Sequence, residues 1–179
     1  MRWSGGPWPG DGAGAQMSTD ARARELGARA DALYRRLVEI ESALGVREWW
    51  LLGRALPEAR LLSEIASLLA VARAELETAL IQVFGADIAR AEPTEAEASD
   101  GGAGETQATQ DPAWLAEQRD QAIGLLRMVA LSLPNLLQYA QMLRQYAGHY
   151  ALPSAATEAF GIVADRLGEV GESLREPPR

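Results

Sequence analysis

The stretch ARARELGARADALYRRLVEIESALG, residues 21–45, decides the fold class. Leu26, Ala30, Leu33, Leu37, Ile40 and Leu44 recur at intervals of four and three, the period of an a/d seam along one face of an α-helix. Asp20/Arg24, Glu25/Arg29 and Asp31/Arg35 flank the seam at i,i+4, where opposite charges support a helix. Ser18, Thr19 and Asp20 offer caps at its start, and Gly45 is placed to end it.

Working outward, residues 1–17 are rich in Gly, Pro and Trp and show no period, so a disordered tail is expected there. The abrupt change of composition makes Met17 a candidate start of the native chain. Beyond Gly45, Val46 to Leu56 forms a short helical stretch holding the adjacent pair Trp49 and Trp50. Pro57, tolerated in a first turn, opens a long helix with Leu62, Ile65, Leu69, Ala72, Leu76, Ala79 and Val83 on one face. Residues 18–91 therefore read as an antiparallel hairpin.

Residues 92–111 carry six acids and no base, and no large apolar side chain, so a flexible acidic linker is expected. Helix restarts at Asp111-Pro112, with Trp114, Leu115, Ile123, Leu126, Val129, Ala130 and Leu133 as its apolar positions. Pro134 is expected to kink or break it, leaving a further helix to about Tyr150. Ser154 then caps a last helix with the seam Phe160, Val163, Leu167, Val170 and Leu174, beside a stripe of small residues at Gly161, Ala164, Gly168 and Gly171. The expectation is an all-α bundle of five or six amphipathic helices, with residues 112–179 packing on the first half.

Composition narrows the function. There is no cysteine, which removes disulfides, thiolate metal sites and cysteine nucleophiles. The net charge of −8 sits in the linker: residues 17–91 carry 10 Arg against 11 acids, and residues 112–179 carry 6 against 7. Nearly neutral helices argue against binding DNA through a broad basic face. All 17 basic residues are Arg, a bias of coding rather than of phosphate recognition. The longest apolar segment, Ile123 to Leu137, is interrupted by Arg127 and Pro134 and falls short of the ~20 residues of a membrane span. No Glu-x-x-His pair, phosphate loop or Ser/His/Asp set calls for a metal, a cofactor or nucleophilic catalysis.

Two groups of aromatics are candidate partner contacts. Trp49 and Trp50 lie ~100° apart on a helix, so one packs between helices while the other is left as an anchor for a partner. Tyr139, Tyr146 and Tyr150 share a face, which is either a core stripe or an exposed aromatic surface. Leu136, Ala140, Leu143 and Ala147 form a competing apolar face, and one of the two must be buried; the tyrosines are the expected core stripe.

The segment RQYAGHY, residues 144–150, holds the one histidine of the chain. Arg144 and His149 are separated by four residues, a spacing that resembles the R-x4-H pattern of HEPN ribonucleases over about the last forty residues. That resemblance implies His149 as general acid or base on a 2′-hydroxyl, Arg144 on the scissile phosphate, and a homodimer acting on RNA. The chain departs from the family pattern in Gln145 after the Arg and in Tyr150 directly after the His. The other reading places His149 at a helix C-terminus, where the dipole favours it.

The leading expectation is a cytoplasmic, non-enzymatic helical protein–protein interaction module, an adaptor or small subunit of a larger assembly, with a protein partner or self-association. The alternative is the HEPN-like ribonuclease with Arg144 and His149 as its site.

Overall fold

The computed structural model describes residues 11–45, 49–85 and 111–175, with side chains for 21–45, 49, 52–85 and 111–175. The acidic linker, most of the expected N-terminal tail, the Asp20/Arg24 pair and the side chain of Trp50 lie outside the described residues. All regular structure among the described residues is helical: α1 (Asp11–Gly45), the single turn α2 (Trp49–Leu52), α3 (Pro57–Phe84), α4 (Pro112–Ala147) and α5 (Ser154–Arg175). Among the described residues four long helices and one turn stand where five or six helices were expected.

Two differences account for that count and for the boundaries. Pro134 lies inside α4 without breaking it. It removes the donor for the carbonyl of Ala130, but both residues face solvent, where water replaces the missing bond. Leu133 and Leu136, buried on either side of the proline, hold the two halves of α4 on one core. The first helix begins at Asp11, ahead of the expected cap at Ser18–Asp20; Ala13, Ala15, Gln16 and Met17 favour helix there, against the opposing preference of Gly12 and Gly14.

The termini follow local chemistry. Asp111 caps α4 by accepting from the Ala113 N–H at 2.9 Å, with Pro112 as the first helical residue. After α3 the chain turns at Gly85, whose φ of 86° lies in the region that disfavours a side chain. Ser154 is the first residue of α5, and the Pro153 carbonyl receives the N–H groups of Ala156 and Thr157.

Neighbouring long helices are antiparallel. Arg73 of α3 pairs with Glu41 of α1, and the Phe84 ring lies beside Gly27. Arg29 and Arg36 of α1 meet Met142 and Ser132 of α4 in reverse order. Arg144 of α4 reaches Asp165 of α5, and Leu133 packs on Gly171. The most extensive packing is between α3 and α5, while α1 and α5 lie diagonally opposite and barely touch. Arg119 donates to Glu58 at 3.0 Å, so α3 and α4 start at the same end. Residues 86–110 thus join opposite ends of a bundle whose α3 alone is ~42 Å long.

One core runs the length of the bundle. The α1 seam Leu26, Ala30, Leu33, Leu37, Ile40 and Leu44 is wholly buried, as are Leu62, Ile65, Leu69, Ala72, Leu76 and Ala79 of α3. From α5, Phe160, Val163, Leu167 and Val170 enter it, whereas Leu174 and Val83 are only half-buried. Each fully buried leucine contributes about 1.5–3 kcal/mol of transfer free energy, and that repetition outweighs the ion pairs on the surface. Of the glycines on α5, Gly171 alone serves a close approach: a Cβ there would stand 3.2 Å from Leu133 Cδ2, while Gly161 and Gly168 have nothing within 4 Å.

Candidate interaction face

The outward side of α4 is built from a run without charge. Between Arg127 and Arg144 no residue carries a charge at neutral pH, and Met128 to Leu143 offers apolar and amide side chains with the hydroxyls of Ser132 and Tyr139. The inward positions Val129, Ser132, Leu133, Leu136, Ala140 and Leu143 are buried. Helical spacing then turns Ala130, Leu131, Pro134, Asn135, Gln138 and Gln141 to the solvent. Leu131 is 80% exposed, against 42% for Ile81 and 41% for Val71.

Alongside this face α1 and α4 leave a groove of about 730 Å³. Ala32, Met128, Leu136 and Tyr139 form its apolar part, Leu131 stands on its rim, and Arg35, Arg36 and Arg127 border it. Two of these arginines are engaged. Arg35 pairs with Asp31 at 2.6 Å; Arg36 donates to Glu39 at 2.8 Å and to the Ser132 hydroxyl at 2.6 Å. Among the described residues Ser132 is the one buried polar side chain, and Arg36 satisfies it. Arg127, exposed at the groove's end, meets no carboxylate among the described residues.

A second groove, between the start of α3 and the end of α5, is bordered by Arg54, Arg60, Glu64 and Glu172 with serines between them. Both signs of charge line it and no aromatic enters it. Elsewhere Arg73 sits between Glu41 and Glu77; its pKa is raised further above an already high value, chiefly by the hydrogen bond to Glu41, with partial burial opposing.

The residues singled out in the sequence are scattered by the fold. Trp49 is buried in the core and offers no surface to a partner. Tyr139, Tyr146 and Tyr150 are half-buried: the face buried on α4 is Leu136, Ala140, Leu143 and Ala147, because their smaller side chains admit the neighbouring helices closely. Tyr139 lines the α1–α4 groove. Tyr146 lies 6.3 Å from Tyr150 between ring centres, with the Arg29 guanidinium 5.5 Å over its own ring. Ile123, Leu126, Trp114 and Leu115 are half-buried, and Ala130, assigned to the seam, is exposed.

Arg144 and His149 are both exposed near the end of α4. Arg144 leans to Asp165 at 3.5 Å, and the His149 N–H bonds the Tyr146 carbonyl at 2.9 Å in the turn that closes the helix. Neither borders either groove. Among the described residues no group of three or more His, Asp or Glu is placed to hold a metal ion, and no helix is long and apolar enough to cross a membrane.

Sequence reading missed Leu131 and Arg127 as a pair. The visible signal was the charge-free run itself, which marks a face only once the helix is known to continue through Pro134. Comparison with protein-family models, curated proteins and solved structures finds no match for this chain.

Proposed function

We propose that the chain is a non-enzymatic helical interaction module, an adaptor or small subunit that works in the cytoplasm by docking a protein on the α4 side of its bundle. The observation that supports it is the uncharged outer face of Met128 to Leu143 with Leu131 standing 80% exposed. Depletion of charge around an apolar centre marks the middle of protein interfaces, and a solvated helix face would carry ionised residues instead. Tyr139 and the groove beside it extend this face, and Tyr146 and Tyr150 continue it towards the end of α4.

The test is a photoreactive residue placed at Gln138 in the full chain, expressed at its natural level in its source cells. A protein adduct at position 138 that is missing when the probe stands at Glu75 of α3 is the expected result; equal labelling at both positions would reject the reading.

The ribonuclease reading, with Arg144 and His149 acting on RNA, draws less support. Arg144 has a carboxylate neighbour in place of an open anion site, and the histidine borders neither of the two grooves described above. RNA cleavage abolished by His149→Ala, with the fold intact, would restore it.

A further inference from the structure

We infer that the partner docked on the α4 side is an acidic amphipathic helix of another protein, with its apolar stripe in the α1–α4 groove and its carboxylates on Arg35, Arg36 and Arg127; this rests on the interaction reading above.

Charge separates this groove from the one between α3 and α5. Three arginines and one glutamate line the α1–α4 groove, whereas Arg54 and Arg60 are outnumbered by Glu64, Glu169 and Glu172 in the other. The chain as a whole carries −8, so a positive groove runs against its average. An acidic segment is steered to this groove and a basic one is steered away from it.

The arginines are open to a new carboxylate. Arg127 is exposed and meets none among the described residues. Arg35 is 74% exposed and holds Asp31 in an i,i+4 pair, the kind of surface pair that contributes little and exchanges readily. Arg36 is held at the groove's edge by Glu39 and Ser132, which fixes its guanidinium in advance of any partner.

The floor adds a second requirement. Ala32, Met128, Leu136 and Tyr139 form it, and a bare anion or a sugar-phosphate backbone would leave that apolar surface uncovered. From Gly124 to Tyr139 the lining follows α4 for ~23 Å, about four helical turns, the span over which a docked helix presents apolar side chains at i, i+3, i+4 and i+7. The chain's own acidic stretch, residues 92–111, supplies carboxylates but no large apolar side chain, so it meets only half of what the groove asks for.

Fluorescence anisotropy of a labelled peptide titrated with the full chain tests this. The probe is a helix-forming peptide of Glu, Ala and Leu with its leucines at i, i+3, i+4 and i+7; the comparison peptide carries Gln in place of every Glu. The acidic peptide is expected to bind with a dissociation constant on the order of 100 µM and to weaken at least about fivefold between about 50 and about 300 mM salt. Arg127→Glu should weaken it at least about fivefold with an unchanged circular-dichroism melt, and Arg60→Glu, exposed beside the other groove, should leave it unchanged. Should Arg127→Glu fail to fold, Arg127→Gln replaces it with a smaller loss in the same direction. No binding of the acidic peptide, equal binding of the Gln peptide or of a uridine oligonucleotide, or equal weakening by Arg60→Glu overturns the inference. The photoreactive probe at Gln138 separates the two levels. A captured segment of another protein rich in Asp and Glu supports the acidic helix. A neutral or basic segment, or a second copy of this chain, rejects it while leaving the interaction reading in place, and an adduct to the chain's own residues 92–111 rejects both.

Discussion

Arg36 of α1 donates through Nη2 to the Ser132 hydroxyl of α4 at 2.6 Å, tying the two helices together across the groove that borders the proposed interface. Ser132 is buried and has this partner, while Arg36 also holds Glu39 and remains partly solvated. Ser132→Ala removes acceptor and hydroxyl together, and the guanidinium keeps Glu39 and water. The expected cost is about 0.5–1.5 kcal/mol in urea unfolding, the scale of one hydrogen bond. Arg36→Ala, which strands the buried hydroxyl, should cost more than Ser132→Ala; the reverse order would mean that Arg36 contributes little at this contact.

Gly27 and Phe84 define the other end of the α1–α3 pair. A Cβ on Gly27 would stand 3.3 Å from the Phe84 ring, tight enough that the ring must give. Gly27→Ala gains about 1 kcal/mol of helix propensity and spends part of it displacing the ring, so it should leave stability within about 1 kcal/mol of wild type. Gly27→Leu should destabilise by about 1–3 kcal/mol through overpacking. Phe84→Ala in the Gly27→Leu background should recover part of that loss, since the clash is with the ring itself. Thermal melts of wild type, Gly27→Leu, Phe84→Ala and the double variant check the cycle.

Arg73 links α1 to α3 through Glu41 and reaches Glu77 on its own helix. A double-mutant cycle with Arg73→Met and Glu41→Gln should give a coupling of about 0.5–1.5 kcal/mol, above a fully exposed pair because both side chains are largely covered. The Glu41 hydrogen bond raises the pKa of Arg73. A raised basic pKa stabilises the fold at every pH below the ordinary arginine range, and that stabilisation is lost only as the pH climbs through it, above ~12. The coupling should therefore be flat between about pH 6 and 10, and a fall within that window would show that Arg73 is not its source.

How far the sequence carried depended on whether one apolar pattern stood alone. Leu26 to Leu44 has no competitor on its helix, and every seam position is buried. On α4 two apolar stripes compete, and periodicity does not rank them. The fold buries Leu136, Ala140, Leu143 and Ala147 and leaves the tyrosines at the edge, because close approach to α1 and α5 rewards small side chains there. Sequence also gives each proline its local cost but not the packing that offsets it, which is why α4 was expected to end near Pro134. Leu131 became conspicuous only through that continuity: as part of a broken helix it would be one apolar residue near a turn.

Pro134 bears on the stability of α4. Inside α4 it removes one backbone donor and crowds the preceding turn, at a cost of up to about 3 kcal/mol that solvation of the Ala130 carbonyl partly offsets. Pro134→Ala restores the donor without altering the buried face, so the isolated chain should unfold about 1–3 kcal/mol harder in urea at low concentration. The same substitution satisfies the Ala130 carbonyl within its own helix. An unchanged or lower midpoint would mean that solvation of the Ala130 carbonyl already offsets the proline in full.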